Sequence, residues 1–429
     1  MGKVGGALFP AAMAAIGVAT GGVGFLGLTG MSAAFASFGT TLVLNMAASA
    51  LAPKPKAPNF NLPNFASAGR TEMVRQAISS RKLVYGETRV SGSLVFCHVT
   101  ESNKFLHMVV VIASHEIDSF VQVYMNNEPL QIGLDGNFTS TAVGGYRGEH
   151  IRVSTHTGAS DQAADANLVS AINDSNIWGS SHQLKGIAYA YIRLKHDINF
   201  FPTGIPNFSF LVKGKKVYDP RTSTTSYSAN SALCVRDYLM NTRFGLSATA
   251  SEVNDTIFTS CANTCDETVT LATPLSKTFN TENDIGESDN IITINGHTYE
   301  TGDAVQYSNE SGTNVSGLTS GTTYYVIRVS RDTIKLATSL SNANSGTAIT
   351  ISPASEDAGE TQALKTLSEK RYESHGVIDT GTVPAKILED MTSSCMGLVY
   401  YSGGKWGMKV GEYLTPSVTL GDDDLRDNI

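Results

Sequence analysis

The chain has 429 residues, a net charge of −8 and five cysteines. That length holds roughly two to four domains, and its well-mixed acidic and basic residues leave no evident face for nucleic acid. The cysteines (Cys97, Cys234, Cys261, Cys265 and Cys395) are odd in number and scattered, which argues against a disulfide framework.

Between Lys3 and Lys54 run fifty residues without a charged side chain, built mainly from Ala, Gly, Met, Phe, Leu and Val. Val4–Leu51 is long enough to cross a bilayer, which takes roughly 20 apolar residues. Gly17, Gly21, Gly24, Gly27 and Gly30 fall three or four apart, flanked by Ala14, Ala33 and Ala34. They would share one stripe of a helix, and small residues at that spacing let helix backbones approach closely. These glycines, with Phe25 and Leu26, are the candidate lumen- or membrane-segment residues. Three readings remain open: a secretory signal peptide, a permanent membrane anchor, or a buried helical hairpin or bundle within an oligomer, able to enter a membrane later. Lys3 and Ala48-Ser49-Ala50 suit the first, but the apolar run is far longer than the usual stretch of about 7–15 residues. Gly22-Val23-Gly24-Phe25-Leu26-Gly27 matches the dinucleotide pattern by chance. That fingerprint needs an acidic residue about 20 positions on, and the first carboxylate here is Glu72.

Pro55, Pro58 and Pro63 predict an extended, semi-rigid linker. A short helix is expected at Glu72–Ile78, and then β structure begins. Strands are predicted at 81–86, Ser93–Val99, Phe105–Ala113 and Ser119–Tyr124. An Asn126-Asn127 turn leads into extended Pro129–Ile132. A small helix around Ala164–Ala171 precedes strands at Gly186–Leu194 and Asn207–Val212. Asn230 is placed to cap a helix carrying Leu233, Val235, Tyr238 and Leu239, ending at Asn241–Gly245. Ser251 is read as the cap of a second helix with Val253, Ile257, Cys261 and Cys265 in steps of four; without a neighbouring His, the two cysteines read as core thiols. A Thr-, Ser-, Asn- and Gly-rich block follows, with strands at Ile291–Ile294, Ala304–Tyr307, Thr323–Val329 and Thr333–Ala337. Within it, 291–297 carries a hairpin signal at Asn295-Gly296, and 317–321 a turn. A third helix, with Thr382 as cap and Pro384 in its first turn, carries Ile387, Leu388, Met391 and Cys395. Val399–Tyr401 and Trp406–Val410 read as a hairpin turning at Gly403-Gly404.

No catalytic arrangement rises above chance. His115-Glu116 lacks the second His of a zinc-protease pattern, and no G-x-S-x-G surrounds Ser91 to Ser93. Asp422–Asp424 lacks the spaced ligands of a calcium loop. The nine histidines are dispersed and read as surface or satisfied core residues. No enzyme activity, metal or cofactor is expected.

The order of features is familiar. Val217-Tyr218-Asp219-Pro220-Arg221-Thr222, the helix Asn230–Leu239, and Arg243-Phe244-Gly245-Leu246 followed by Cys261 and Cys265 resemble the central tail-hub (tip attachment) protein of lambda-type long-tailed phages. Val84-Tyr85-Gly86-Glu87 with Val90 and Gly92, and the strand Leu106–Val111, are similar to that family's opening domain. Ala385–Cys395, Leu398-Val399-Tyr400-Tyr401 and Asp422-Asp423-Asp424-Leu425 are similar to its closing part. The resemblance covers about 71–271 and 368–429. The block between, with Gly321-Thr322-Thr323-Tyr324-Tyr325-Val326, looks like small β modules of other phage structural proteins.

The resemblance implies a multidomain, mainly β protein with a few helices (α+β) and β-barrel-like hub domains. Its divisions would be an apolar helical segment (1–53), a linker (54–70), the first hub β domains (71–228), a helical part (229–271), an inserted small β domain (272–367) and a returning hub domain (368–429). It implies a virion protein at the tail tip, a homotrimer closing the tube and letting DNA through the lumen without reading its sequence. The partners would be the distal tail protein and other tail-tip proteins, the tape measure protein, and the host envelope or receptor. In the family a distal part of the chain carries fibronectin-like domains and host recognition; this sequence ends at Ile429, so recognition is expected from a further segment or another protein. A membrane-anchored surface adhesin or binding module is the alternative.

Overall fold

The computed structural model describes residues 80–132, 138–139, 150–202, 204–286, 289–310, 312–352 and 360–413. The apolar segment, the linker, the helix expected at 72–78 and the acidic run 422–424 lie outside the described residues.

The first strands are β1 (Lys82–Tyr85), β2 (Glu87–Val90), β3 (Ser93–Thr100), β4 (Phe105–Ala113), β5 (Ser119–Met125), β6 (Glu128–Pro129), β7 (Gln131–Ile132), β8 (Phe138–Thr139) and β9 (Ile151–His156). Helix α1 (Ala166–Ile172) precedes β10 (Ala188–Lys195) and β11 (Phe208–Lys213). Asn126 and Asn127, with φ of 50° and 72°, form the left-handed turn between β5 and β6 that Asn tolerates best. Two sheets result, in the orders β3-β4-β10-β9-β8-β7 and β2-β11-β5-β6.

The nearly unbroken apolar character of β4, with His107 as its one polar residue, has a simple cause: the strand is covered on both faces. Leu106, Met108, Val110 and Ile112 enter a core shared with Phe208, Phe210 and Val212 of the second sheet. Val109 faces the other way, toward Leu168 and Ile172 of α1. β10 divides likewise, Ala190 and Ile192 to the shared core and Tyr189 and Tyr191 to α1. Successive strand side chains alternate faces, so a strand between two cores is apolar on both, and the one polar side chain of β4, His107, is buried there. The barrel form implied by the resemblance is not met: the described sheets are open, with no ring of strands closed among them.

A second core gathers around helices. β12 (Lys216–Asp219) and β13 (Thr224–Tyr227) lead to α2 (Ser231–Met240) and α3 (Asp255–Asp266). Asn230 caps α2, its side-chain oxygen accepting from the Ala232 and Leu233 N–H groups at 3.1 and 3.3 Å. Its amide donates to the Ala262 carbonyl at 2.9 Å, tying the helices together. Ser251 is not the cap of α3. Glu252 stands three residues after Thr249 and accepts from the Thr249 N–H at 2.8 Å, so 250–252 close a separate 3₁₀ turn. Asn254 then caps α3.

The third group comprises β14 (Thr268–Asn280), β15 (Ile292–Thr293), β16 (Ala304–Ser308), β17 (Thr323–Arg328), β18 (Thr333–Ala337), α4 (Leu340–Asn344) and β19 (Thr361–Lys370). Its sheet runs β14-β19-β16-β17-β18-β15, over a core drawn from residues between Phe279 and Leu364. Asn295-Gly296 does turn the chain, with Gly296 at φ 64°, but no hairpin follows. β15 pairs with β18 instead, because Ile292 and Ile334 are both wanted in that core.

The chain then returns through β20 (Gly376–Asp379), α5 (Pro384–Ser393), β21 (Leu398–Ser402) and β22 (Lys405–Lys409). Val383, not Thr382, is the N-cap of α5; a residue before proline is driven to extended backbone, which sets the boundary one position later. β21 and β22 form the expected hairpin over Gly403 and Gly404, both at positive φ. β20 pairs antiparallel with β1, Lys82 opposite Asp379. Ile387, Met391, Cys395 and Met408 pack with α2 and α3 in the second core. The two ends of the third group meet: Thr268 pairs with Lys370, and the Arg371 N–H donates to the Glu267 carbonyl at 2.8 Å.

Deleting 272–367 and joining the ends with a short Gly/Ser linker keeps the Thr268–Thr270 and Ser368–Lys370 stub paired. The remaining chain is expected to stay soluble and to unfold in a cooperative transition, followed by circular dichroism in urea. Insoluble or non-cooperative protein would show that the removed block supports the remaining cores.

Candidate functional site

Gly17, Gly21, Gly24, Gly27, Gly30, Phe25 and Leu26 lie outside the described residues. No described helix is long and apolar enough to cross a membrane, and no group of three or more His, Cys, Asp or Glu among the described residues could hold a metal ion. What the described residues arrange instead are buried polar anchors, a charged junction and, at β21, an open strand edge.

The anchors are local. Tyr85 donates its hydroxyl to Asp237 Oδ2 at 2.5 Å, and Lys215 Nζ donates to both oxygens of the same carboxylate at 2.5 and 2.6 Å. Burial, then the Asp237 charge, hold the Tyr85 phenol well above its ordinary range. His115 accepts from the Val84 N–H through Nε2 at 2.9 Å, which leaves Nδ1 to donate to the Glu116 carbonyl at 2.7 Å. His107 lies between Thr100 Oγ1 and the Tyr191 hydroxyl, each at 2.8 Å. Asp165 caps α1 through the Leu168 N–H at 2.8 Å and binds His156 at 2.7 Å. Cys261 and Cys265 are buried, as are Cys234 and Cys395; Cys97 is exposed, and none of the five is in a disulfide. Burial pushes Cys261 up to about 11 and Cys265 to about 12, so neither thiol ionises readily.

The charged junction joins the third group to the first sheets. The Arg328 guanidinium grips Glu87 with Nη1 on Oε2 at 2.7 Å and Nη2 on Oε1 at 3.2 Å. Arg328 also pairs with Glu300, and Lys213 Nζ reaches the other Glu300 oxygen at 2.6 Å. Arg328 is nearly buried, its side chain 9% exposed. Arg89 and Arg331 both lie over the Tyr124 ring, at 4.0 and 5.4 Å from its centroid. Sequence reading missed this junction: Glu87 and Arg328 are 241 positions apart, and no local pattern marks either.

β21 is an open edge. In a hairpin with a two-residue turn, Ser402 and Lys405 form the first hydrogen-bonded pair, so Val399 and Tyr401 direct their backbone groups away from β22. On the far side, the outward Trp406 carbonyl accepts from the Asn254 N–H at 3.0 Å. Among the described residues β21 has no neighbour beyond β22 in its sheet. Its side chains Leu-Val-Tyr-Tyr-Ser include no charge, and Leu398 and Tyr401 are more than half exposed, as is neighbouring Met396. Exposed edges are usually guarded by charge, proline or a bulge.

Together the described residues define a strand-rich protein of several sheets with a few helices. No family model matches the chain, and no curated protein matches it. Among solved structures it is similar to a chain in the "Virion of native gene transfer agent (GTA) particle". That likeness covers 66% of this chain and 74% of the other, at 11% identity and a TM-score of 0.30, a weak similarity.

The histidines give a test of burial. Imidazoles ordinarily titrate near 6.5, but burial lowers His107 and His115 to about 4. Between those values the unfolded chain binds the proton and the folded chain does not, so each histidine makes stability fall as pH drops from about 6.5 to 4. Urea midpoints at pH 7 and pH 4.5 should show a smaller acid loss in His115→Gln than in the native chain. Equal losses would mean that His115 is already protonated, or solvated, at pH 4.5.

Proposed function

We propose that the chain is the structural hub of a phage tail tip, closing the distal end of the tail tube as a homotrimer. The observation that supports the reading most is where the resembling segments lie in the fold. They are spread over the sequence, yet Val84, Val90, Leu106–Val110, the α2 helix, Cys261, Cys265 and the α5 helix build the core between the first two sheets, the packing of β4 and β10 on α1, and the helical core. The block without that resemblance builds its own core and shares no member with them. This is the pattern of a scaffold carrying an inserted module.

In this reading the ring organises the distal tail protein, other tail-tip proteins and host attachment proteins, and opens for DNA. It faces the tape measure protein above and the host envelope or receptor below, and needs neither cofactor nor catalytic residue. Cyclic symmetry is the usual way identical chains cap a tube, and an unguarded strand edge such as β21 suits a chain that works within an assembly. Native mass measurement of the full chain in detergent, with imaging of particles that carry it, should give a C3 trimer at one end of the tail. A monodisperse monomer at micromolar concentration, absent from particles, overturns the reading and favours a membrane-anchored adhesin.

The apolar segment would sit on the trimer axis, its Gly17–Gly30 stripe packing three copies closely as a plug or lining, and pass into the host membrane on infection. Leu26→Lys places a charge in that segment at a cost of roughly 3 kcal/mol or more at a bilayer centre. Dye leakage from liposomes by the isolated segment should fall, and mutant particles should deliver less DNA. Normal delivery by Leu26→Lys particles, with liposomes left intact by the native segment, leaves only a structural plug.

A further inference from the structure

We propose that residues 279–364 form a hinged arm, clasped to the first sheets by the Glu87–Arg328–Glu300–Lys213 junction and able to swing about the β14–β19 ribbon. This goes beyond the tail-hub reading and does not depend on it.

Three observations converge. The first is the separation of cores. Every buried member of the arm's core lies between Phe279 and Leu364, and the cores of the first sheets and of the helices draw nothing from that range. The contact is therefore not made by a continuous apolar interior. The second is what the contact is made of. Arg328 and Glu300 of the arm meet Glu87 and Lys213 of the β2-β11 sheet, and Arg331 of the arm shares the Tyr124 ring with Arg89. Two positive and two negative charges balance, so the closed position is self-consistent. Ion pairs lose their desolvation penalty when they part and re-enter water, so such a contact separates at far lower cost than a hydrophobic one of similar extent.

The third observation is the tether. Thr270 pairs with Ser368 and the next pair is Leu275 with Thr366. Residues 271–274 thus stand opposite Leu367 alone, a wide interruption in the ladder. Pro274 has no N–H to pair there. Thr268 to Ser276 is exposed except for half-buried Leu271, and Thr366 to Ser368 opposite are only half-buried, so no fully buried side chain holds the ribbon's angle there. An interrupted two-stranded ribbon with a charged clasp beyond it is a hinge with a catch.

The test uses the full chain, spin-labelled at native Cys97, which is the exposed cysteine on β3, and at Ser341→Cys on α4, diluted with unlabelled chain. The native distance distribution should be narrow. Lys213→Glu leaves three carboxylates against Arg328, and Glu300→Lys leaves three cations against Glu87; each should broaden the distribution and shift it to longer distances. The combined swap Lys213→Glu/Glu300→Lys restores the balance and should restore the narrow distance. Glu87→Gln, the mildest variant, serves where a reversal fails to fold. A distribution unchanged in all folded variants overturns the hinge, since the arm is then fixed by other contacts. A native distribution already broad, or a swap that stays broad while folded, overturns the clasp.

Discussion

Four residues carry the constraint on which the rest of the molecule depends. In β1, Lys82-Leu83-Val84-Tyr85, each side chain is buried, yet they do not serve one core. Val84 belongs to the core between the two sheets, and Leu83 and Tyr85 belong to the helical core. The backbone is claimed as fully. The Val84 N–H donates to His115, its carbonyl accepts from the Lys215 N–H at 2.8 Å, and β20 takes the ladder. Gly214 shows how tight this is: a Cβ there would lie 2.3 Å from the Val84 oxygen. Removing most of a buried Leu typically costs about 2–5 kcal/mol. At Leu83 the cavity would open at the seam between the cores.

The molecule uses two kinds of adhesion in two places. Within each core the contacts are apolar, and a polar group such as Asp237 is held there by Tyr85 and Lys215. Between the arm and the body the contact is charged. A buried ion pair gains little net stability over an apolar substitute, because both charges give up water, but it fixes orientation and punishes misalignment. The choice of chemistry thus separates what must never open from what has only to be aligned.

Much of the fold was legible locally and little of its assembly was. β4 was readable to the residue because a strand between two cores leaves an apolar run, broken here only by His107. The cap at Asn230 and the Gly403-Gly404 turn were readable because each is a short-range geometric requirement. The starts of α3 and α5 were misplaced by competing local signals: Glu252 drew Thr249 into its own turn, and Pro384 forced Val383 to be extended. Asn295-Gly296 carried a true turn signal, but pairing followed the burial of Ile292 against Ile334, which no local pattern encodes. The junction of Glu87, Lys213, Glu300 and Arg328 was invisible for the same reason. Its members are joined only by the completed fold. The candidate segment around Gly17–Gly30 was legible as chemistry and lies outside the described residues.

The pairing of β1 with β20 has a consequence for synthesis. Asp379 leaves the ribosome roughly 300 residues after Lys82, a delay on the order of 15–60 s at about 5–20 residues per second. Throughout that time β1 has no ladder partner, and the helical core lacks Ile387, Met391 and Met408. The arm, whose core spans Phe279 to Leu364, emerges whole in the interval and can fold on its own contacts. The nascent body must therefore wait with an unfinished seam while a later-made part is already complete, and its apolar strands are most open to wrong partners in that window.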